Sequence, residues 1–220
     1  MSMITNERIA AYIDSLDQEL PEFLRELEKK SLKEYVPIIK KPTQSLLRFL
    51  IKSHQPQKIL EVGTAVGFSS ILMSQYLKEN GHITTIEKME ERVKQAKENR
   101  KLAQKESQIT ILEGDAAEIL ANLRKNGESY DMIFMDAAKG QYLNFLPDIF
   151  ALLRTGGLLI SDNVLQDGDI VESRYAVTRR NRTIHFRMRE YLYTLTHSED
   201  FDTVVLPIGD GVTVSTKLAR

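Results

Sequence analysis

The chain of 220 residues contains no cysteine. This absence excludes disulfides, thiolate nucleophiles and metal sites with cysteine ligands, and it is compatible with a reducing compartment. The sequence also has no apolar run close to the ~18 residues that a membrane span requires, and residues 1–14 lack the apolar core of a signal peptide. We therefore expect a cytoplasmic protein with no membrane partner.

The sequence also has little excess of either charge, because 30 Lys and Arg oppose 31 Asp and Glu. A partner such as a nucleic acid would have to be met by a local patch. A hydrophobic content of 42% is enough for one sizeable core, so we expect a single domain over residues 1–220. Within it, residues 1–55 have helical patterns and are predicted to form a lid or dimer region.

An apolar strand, a glycine turn and a helix follow one another from Lys58 onward, beginning with KILEVGTAVG. Gly63 and Gly67 have the spacing G-x-x-x-G, without the middle glycine that lets a dinucleotide pyrophosphate approach the backbone. This spacing argues against NAD and favours a cofactor without a diphosphate, such as S-adenosylmethionine. Glu61 would then accept hydrogen bonds from the cofactor ammonium group. An ordinary turn between a strand and a helix is the alternative.

The next predicted strand ends in Glu87, which lies 24 residues after Gly63. In doubly wound folds an acidic residue near this position binds the ribose hydroxyls of the cofactor. We therefore predict this role for Glu87. The alternative is that Glu87 only precedes the polar helix that follows it.

Strands and helices alternate as far as residue 163. Five predicted strands with four helices between them imply an α/β fold with a parallel, doubly wound sheet. After a predicted helix over 179–196, the strands 203–208 and 212–218 form a hairpin, so the last strand is antiparallel. The prediction is a mostly parallel, seven-stranded sheet with N-terminal helices, which resembles the class I methyltransferase fold.

Acidic residues end three of these strands, at Asp115, at Asp136 and at the pair Asp162-Asn163. If the fourth and fifth strands are neighbours, Asp136, Asp162 and Asn163 converge, and their oxygens suit magnesium or another octahedral divalent ion. Lys139 leaves the same strand as Asp136 and is a candidate proton acceptor. The alternatives are capping roles for the acids and a surface position for the lysine.

Four segments together resemble the metal-dependent O-methyltransferases of the catechol and caffeoyl-CoA type, and the resemblance runs from about Lys41 onward. They are LEVGTAVGFS at 60–69, MDAAKGQY at 135–142, SDNVL at 161–165 and PIGDG at 207–211. The resemblance implies that Asp136, Asp162 and Asn163 hold magnesium and that Lys139 is the general base. It also implies that S-adenosylmethionine is surrounded by Ile39, Glu61, Gly63, Ser69, Glu87, Ala116 and Asp136. We expect a homodimer.

Within this family the sequence resembles the bacterial branch that methylates 5-hydroxyuridine at the wobble position of tRNA. The 5-hydroxyl and the O4 carbonyl of that base form a chelating pair like a catechol's. A stretch without acidic residues supports an RNA substrate, since phosphates would meet its six arginines: Arg174, Arg179, Arg180, Arg182, Arg187 and Arg189. Beside them, Tyr175, His185 and Phe186 are predicted to offer faces on which bases stack.

Two other interpretations stay open. In the first, the substrate is a small catechol-like or caffeoyl-CoA-like molecule, and the arginines pair with Glu172, Glu190 and Glu199 on a solvated helix. In the second, the protein is a binding module without catalysis. A lysine beside a metal set argues against the second interpretation.

Overall fold

A computed structural model describes residues 6–173 and 175–219. In this part of the chain the helices are α1 (Glu7–Ser15), α2 (Glu22–Lys33), α3 (Lys41–His54), α4 (Phe68–Ser74), α5 (Glu90–Leu102), α6 (Ala116–Lys125), α7 (Tyr142–Leu152) and α8 (Arg182–Thr196). The strands are β1 (Lys58–Val62), β2 (His82–Glu87), β3 (Ile109–Glu113), β4 (Tyr130–Met135), β5 (Leu153–Ser161), β6 (Phe201–Leu206) and β7 (Val212–Lys217). Short 3₁₀ helices, Lys139–Gln141 and Gln166–Val171, follow β4 and β5.

The strands form one sheet in the order β3-β2-β1-β4-β5-β7-β6. Strands β1 to β5 pair in parallel, and β7 is antiparallel to both of its neighbours, β5 and β6. The predicted α/β fold with an antiparallel last strand is confirmed. Because β4 and β5 are direct neighbours, the residues that follow them, Asp136 and Asp162, lie side by side.

Helices cover both faces of the sheet. Because side chains alternate along each strand, neighbouring residues of one strand pack in different cores. On one face, Ile59 and Phe134 pack in the same core as Leu24 of α2 and Leu47 of α3. On the other face, the core contains residues of α6, α7 and α8, and Leu60 of β1 belongs to it. No described helix combines the length and the apolar character that crossing a membrane requires.

Some predicted boundaries are wrong. The helix predicted from residue 179 begins at Arg182, because Asn181 closes a turn by donating its backbone N–H to the Thr178 carbonyl at 2.9 Å. The strand predicted from Gly157 begins earlier, at Leu153, and its pairing with β4 shifts register between Tyr130 and Met132. The two 3₁₀ helices are too short to show a periodic pattern in the sequence.

Gly63 joins the end of β1 closely to the end of β4. Its φ is +107°, a left-handed value that favours glycine, and a Cβ built on it would lie 2.0 Å from the Asp136 carbonyl oxygen. The Asp136 backbone N–H donates to the Val62 carbonyl at 3.0 Å, and that of Gly63 donates to Ile86 at 3.1 Å. The glycine therefore allows the turn after β1 to pack directly against the residue that follows β4.

We predict that Gly63→Ala destabilises the fold by at least about 2 kcal/mol more than Gly156→Ala does, because both glycines have left-handed φ values but only Gly63 has a close neighbour. A Cβ on Gly156, whose φ is +75°, would meet nothing within 4 Å. Urea unfolding of both variants measures the difference, and equal unfolding midpoints would contradict the packing explanation.

Candidate active site

A cavity of about 800 Å³ opens at the carboxyl ends of β1, β2 and β4. This is the edge of a parallel sheet where ligands bind, and the volume suits a nucleoside-sized molecule. The segment before α3, the glycine turn after β1 and the beginning of α6 contribute to the walls. Six of the residues predicted to surround the cofactor line the cavity: Ile39, Gly63, Ser69, Glu87, Ala116 and Asp136.

Glu61, the seventh predicted cofactor residue, lies behind the cavity wall and is fully buried. The hydroxyls of Ser69 and Thr85 donate to its two carboxylate oxygens, each at 2.5 Å. Burial raises the pKa of Glu61 to about 8, and the negative charges of Asp136 and Glu87 act in the same direction. A cation bound in the cavity would therefore favour the ionised form of Glu61.

Glu87 organises the turn while it lines the cavity. One of its oxygens accepts the backbone N–H of Ala65 at 2.9 Å, and the other accepts those of Lys88 at 2.8 Å and Met89 at 2.9 Å. Ala65 has a φ of +46°, which these contacts stabilise. A carboxylate offers about four acceptor positions, so Glu87 retains capacity for a ligand hydroxyl.

Asp115 caps a helix, which is the alternative role that the sequence suggested for the acids at strand ends. Its side chain accepts the Ala117 backbone N–H at 3.0 Å and so caps α6. It also forms an ion pair with Lys88 at 2.9 Å. Asp115 therefore differs from the acids that follow β4 and β5, which do not begin helices.

Asp136, Asp162 and Asn163 meet at the ends of β4 and β5. The Asn163 side-chain amide donates to Asp136 Oδ1 at 2.9 Å, and the Asn163 backbone N–H donates to Asp162 Oδ1 at 2.8 Å. Asn163 has a φ of +62°, a left-handed conformation that asparagine tolerates better than most residues. The Asp-Asn pair thus has a conformational reason to occur at this position.

Burial raises the pKa of Asp136 to about 6. It raises that of Asp162 to about 7, where the charge of Asp136 adds to the effect. No ion pair in the described part of the chain involves either acid, although the charge of Lys139 partly offsets both shifts. Two buried carboxylates with an adjacent amide fit a divalent cation, because its charge would stabilise their ionised forms.

This set differs from a dense metal cluster. Within residues 6–173 and 175–219, no group of three or more His, Cys, Asp or Glu residues could hold a metal ion. Lys139 is the first residue of the 3₁₀ helix after β4 and is half-buried. The structure thus gathers two acids, one amide and a lysine beside the cavity.

Sequence reasoning missed an ion pair at this edge of the sheet. Lys40 pairs with Asp210 in the turn between β6 and β7, and Thr43 Oγ1 lies 3.5 Å from Asp162 Oδ1. The charge of Asp210 contributes to the raised pKa of both Asp136 and Asp162. The segment PIGDG predicts this turn. It does not predict that Lys40, 170 residues away in the sequence, pairs with Asp210 there.

The described arginines of the arginine-rich stretch fall into two groups, those that are exposed and those that bond backbone carbonyls. Arg174 lies outside the described residues, and Arg179 and Arg180 are exposed. The remaining three arginines donate to backbone carbonyls, Arg182 to Val177 at 3.3 Å, Arg187 to Gly140 at 2.7 Å and Arg189 to Ile170 at 3.1 Å. In the described part of the chain, none of the ion pairs joins these arginines to Glu172, Glu190 or Glu199.

The aromatic residues in this stretch also differ in exposure. Tyr175 is 84% exposed and Phe186 is 49% exposed, whereas His185 is buried at 2%. The prediction that His185 offers a stacking face is therefore wrong, because its ring packs inward and contacts the Glu172 carbonyl at 3.2 Å. Arg182 lies over the Tyr175 ring, 5.9 Å from its centroid.

Comparison with known proteins identifies the family. A family model described as O-methyltransferase matches residues 14–218. The chain belongs to this family. It is an S-adenosylmethionine-dependent O-methyltransferase, which confirms the predicted enzyme class and excludes the interpretation as a binding module without catalysis.

Three similar proteins illustrate the relationship. The methyltransferase is 36% identical to a catechol O-methyltransferase of Niastella koreensis over 57% of this chain and 58% of that protein. It is 30% identical to a caffeoyl-CoA O-methyltransferase of Stellaria longipes over 76% of this chain and 71% of that protein. A crystal structure of a candidate caffeoyl-CoA O-methyltransferase from Staphylococcus aureus superimposes with a TM-score of 0.84 at 31% identity, covering 96% and 98% of the two chains.

We predict that Glu61→Gln removes part of the pH dependence of stability. Below about pH 4.5 the Glu61 carboxyl is protonated whether the chain is folded or unfolded. Between that value and about pH 8 only the unfolded chain loses the proton, so wild-type stability falls as pH rises. At pH 8, relative to pH 5, the wild type should lose on the order of 3 kcal/mol that the variant retains.

Urea unfolding of both proteins from pH 5 to pH 8.5 tests this prediction. Asp136 and Asp162 titrate in both proteins, so the difference between the two curves isolates Glu61. Parallel curves would contradict a protonated Glu61 in the folded state.

Proposed function

We propose that this methyltransferase uses S-adenosylmethionine and magnesium to methylate the 5-hydroxyl of 5-hydroxyuridine at the wobble position of tRNA. One observation carries the catalytic part of the proposal. Asp136 lines the cofactor cavity and also accepts a hydrogen bond from Asn163 in the acid set. A residue common to the cavity and the acid set supports adjacent sites for the methyl donor and the substrate oxygen.

The cofactor residues in the proposal are those predicted from the sequence. Glu87 binds the ribose hydroxyls with its remaining acceptor capacity, and Glu61 compensates the cationic end of the cofactor from behind the wall. The other members border the cofactor: Ile39, Gly63, Ser69, Ala116 and Asp136. When bound, S-adenosylmethionine supplies a methyl group on a positively charged sulfur, which is open to attack by an oxygen nucleophile.

Asp136, Asp162 and Asn163 would hold magnesium. A divalent cation there lowers the pKa of a substrate hydroxyl and balances the charge of the two acids. Lys139 accepts the proton of that hydroxyl, since it lies on the loop directly after Asp136. The walls of the site orient the substrate oxygen toward the methyl group and so reduce the entropic cost of the reaction.

The arrangement of the exposed cationic and aromatic residues supports a tRNA substrate. Helix α8 precedes β6, which runs parallel to β1–β5, so its first turn lies at the same edge of the sheet as the cavity. Arg179 and Arg180 lie directly before that turn, and Tyr175 and Phe186 are exposed beside them. Arginines that meet phosphates and aromatic rings that stack on bases are typical of RNA recognition.

A small catechol-like or caffeoyl-CoA-like substrate is the second candidate. The similarity to a catechol O-methyltransferase and a caffeoyl-CoA O-methyltransferase favours it. So does the finding that Arg182, Arg187 and Arg189 bond backbone carbonyls of this chain. The same catalytic residues would act on both substrates. The two differ because only tRNA would extend to the exposed residues around the site.

The homodimer stays a prediction. Helix α1 leaves an apolar stripe exposed, which is compatible with a second copy: Ile9, Tyr12, Ile13 and Leu16. The proposed lid or dimer role of residues 1–55 would then involve α1, because α2 and α3 bury Leu24, Leu27 and Leu47 in the core of the domain.

We predict that Asp162→Ala reduces methyl transfer at least about 100-fold, because the cation would lose a charged ligand. Cofactor affinity should change little, since the cavity is lined by Asp136 and not by Asp162. Wild-type activity should be lost in EDTA and return with magnesium. Calorimetry measures the affinity for the cofactor, and a methyl-transfer assay measures turnover. The control is Glu172→Ala, which removes an exposed acid. Full turnover in excess EDTA would exclude the metal.

We predict that Arg179→Ala combined with Arg180→Ala raises the KM for tRNA and leaves turnover of a small catechol nearly unchanged. Each lost phosphate contact should reduce the log–log salt slope of tRNA binding by roughly 0.7–0.9. The matched control is Lys101→Ala with Lys125→Ala, which removes two exposed charges at the ends of α5 and α6, on the opposite edge of the sheet.

The assays separate the two substrate classes. An unchanged KM and salt slope for tRNA would remove the main support for RNA and favour the small-molecule substrate. Equal losses with both substrates would indicate a folding defect, which thermal unfolding would reveal.

A further inference from the structure

Helix α8 holds connecting segments beside the active site through hydrogen bonds from its side chains to backbone carbonyls. Arg189 Nη1 donates to Ile170 at 3.1 Å, and His185 contacts the Glu172 carbonyl at 3.2 Å. Both of these contacts lie in the segment after β5. Arg187 reaches a different segment, the loop after β4, where its Nη1 donates to Gly140 at 2.7 Å.

Two residues of α8, Arg187 and Ile184, lie next to Gly140. A Cβ built on Gly140 would lie 3.8 Å from Arg187 Nη1 and 4.0 Å from Ile184 Cγ1. The guanidinium and Ile184 therefore pack directly over the glycine. Because arginine is always charged and its donors are fixed in a plane, the bond to the carbonyl is directional and charge-assisted.

Gly140 is the residue directly after Lys139. Both lie in the 3₁₀ helix that follows β4, and the Gln141 backbone N–H closes this turn by donating to the Ala138 carbonyl at 2.8 Å. A glycine has no side chain to fix its own backbone by packing. A hydrogen bond from α8 to the Gly140 carbonyl holds the peptide between Gly140 and Gln141, and so restrains the short turn of which Lys139 is the first residue.

We propose that Arg187 is a positioning residue for Lys139. The guanidinium orients the loop after β4 from the side of α8, so that the lysine amine stays within reach of the substrate hydroxyl. Proton transfer requires a separation of about 2.6–3.2 Å, and a small displacement of the acceptor lowers the rate strongly. The inference rests on the proposed role of Lys139 as the proton acceptor.

The proposal changes the interpretation of the arginine-rich stretch. Arg187 belongs to a stretch whose composition indicates phosphate binding, but its observed partner is the loop of the proposed base. Its loss should therefore slow methyl transfer to every substrate. Loss of Arg179 and Arg180 should affect tRNA alone.

The first test replaces Arg187 by Met, which keeps an apolar stem against Ile184 and loses the donor. Turnover of a small catechol at saturation should fall at least about 10-fold, with the Kd of S-adenosylmethionine unchanged within about twofold. Arg187→Lys, which keeps a charged donor, should recover part of the loss. Arg124→Met is the control, since Arg124 pairs with Asp148 at 3.0 Å and ties α6 to α7; its turnover should stay within about twofold of the wild type.

The second test is a double-mutant cycle with Lys139→Met. If Arg187 acts through Lys139, adding Arg187→Met to the Lys139 variant should lower turnover no further. Additive losses from the residual turnover of Lys139→Met would overturn the proposal, as would a normal turnover of Arg187→Met alongside a strongly slowed Lys139→Met. Should the Met variant fail to fold, Arg187→Leu, which also lacks a donor, takes its place with the same expected loss.

The cycle also separates this proposal from the proposed function. If Lys139→Met retains wild-type turnover, the lysine is not the proton acceptor, and the positioning role falls with it. If Lys139→Met is strongly slowed and the Arg187 variant is normal, the proposed function stands and the positioning role alone is overturned.

Discussion

Burial of carboxylates at one edge of the sheet is the constraint on which the site depends. Glu61, Asp136 and Asp162 are buried or nearly buried where β1, β4 and β5 end, and burial raises the pKa of each. Such an arrangement costs stability when the site is empty of positive charge. Cationic ligands would relieve that cost, so the free energy stored at this edge contributes to ligand affinity.

The surrounding fold supplies polar partners that make this burial tolerable. Two hydroxyls donate hydrogen bonds to Glu61, and Asn163 donates hydrogen bonds to both Asp136 and Asp162. The close junction at Gly63 brings the ends of β1 and β4 together. The acids are thus held by partners on β2, on α4 and on the loop after β5, which the sheet brings together.

The sequence predicted the parts of the site that follow from strand order. Parallel strands bring their carboxyl ends to one edge, so Asp136 and Asp162 could be expected side by side before any coordinates were known. The hydrogen-bond partners of Glu61 and the contact from Arg187 to Gly140 could not, because they depend on the directions of individual side chains, which strand order does not determine. Composition did not separate the exposed arginines from those that bond backbone carbonyls, and it was misleading for the buried His185, since it does not indicate which way a side chain points.

The place of β7 in the sheet has a consequence for synthesis of the protein on the ribosome. Strand β7 lies between β5 and β6, so β5 gains its second neighbour only when residues 212–217 have emerged and folded back. Until then β5, the strand that leads into Asp162, is an exposed edge that can pair with another chain. The nascent enzyme must therefore complete its hairpin before β5, and with it the acid set, is enclosed between two strands.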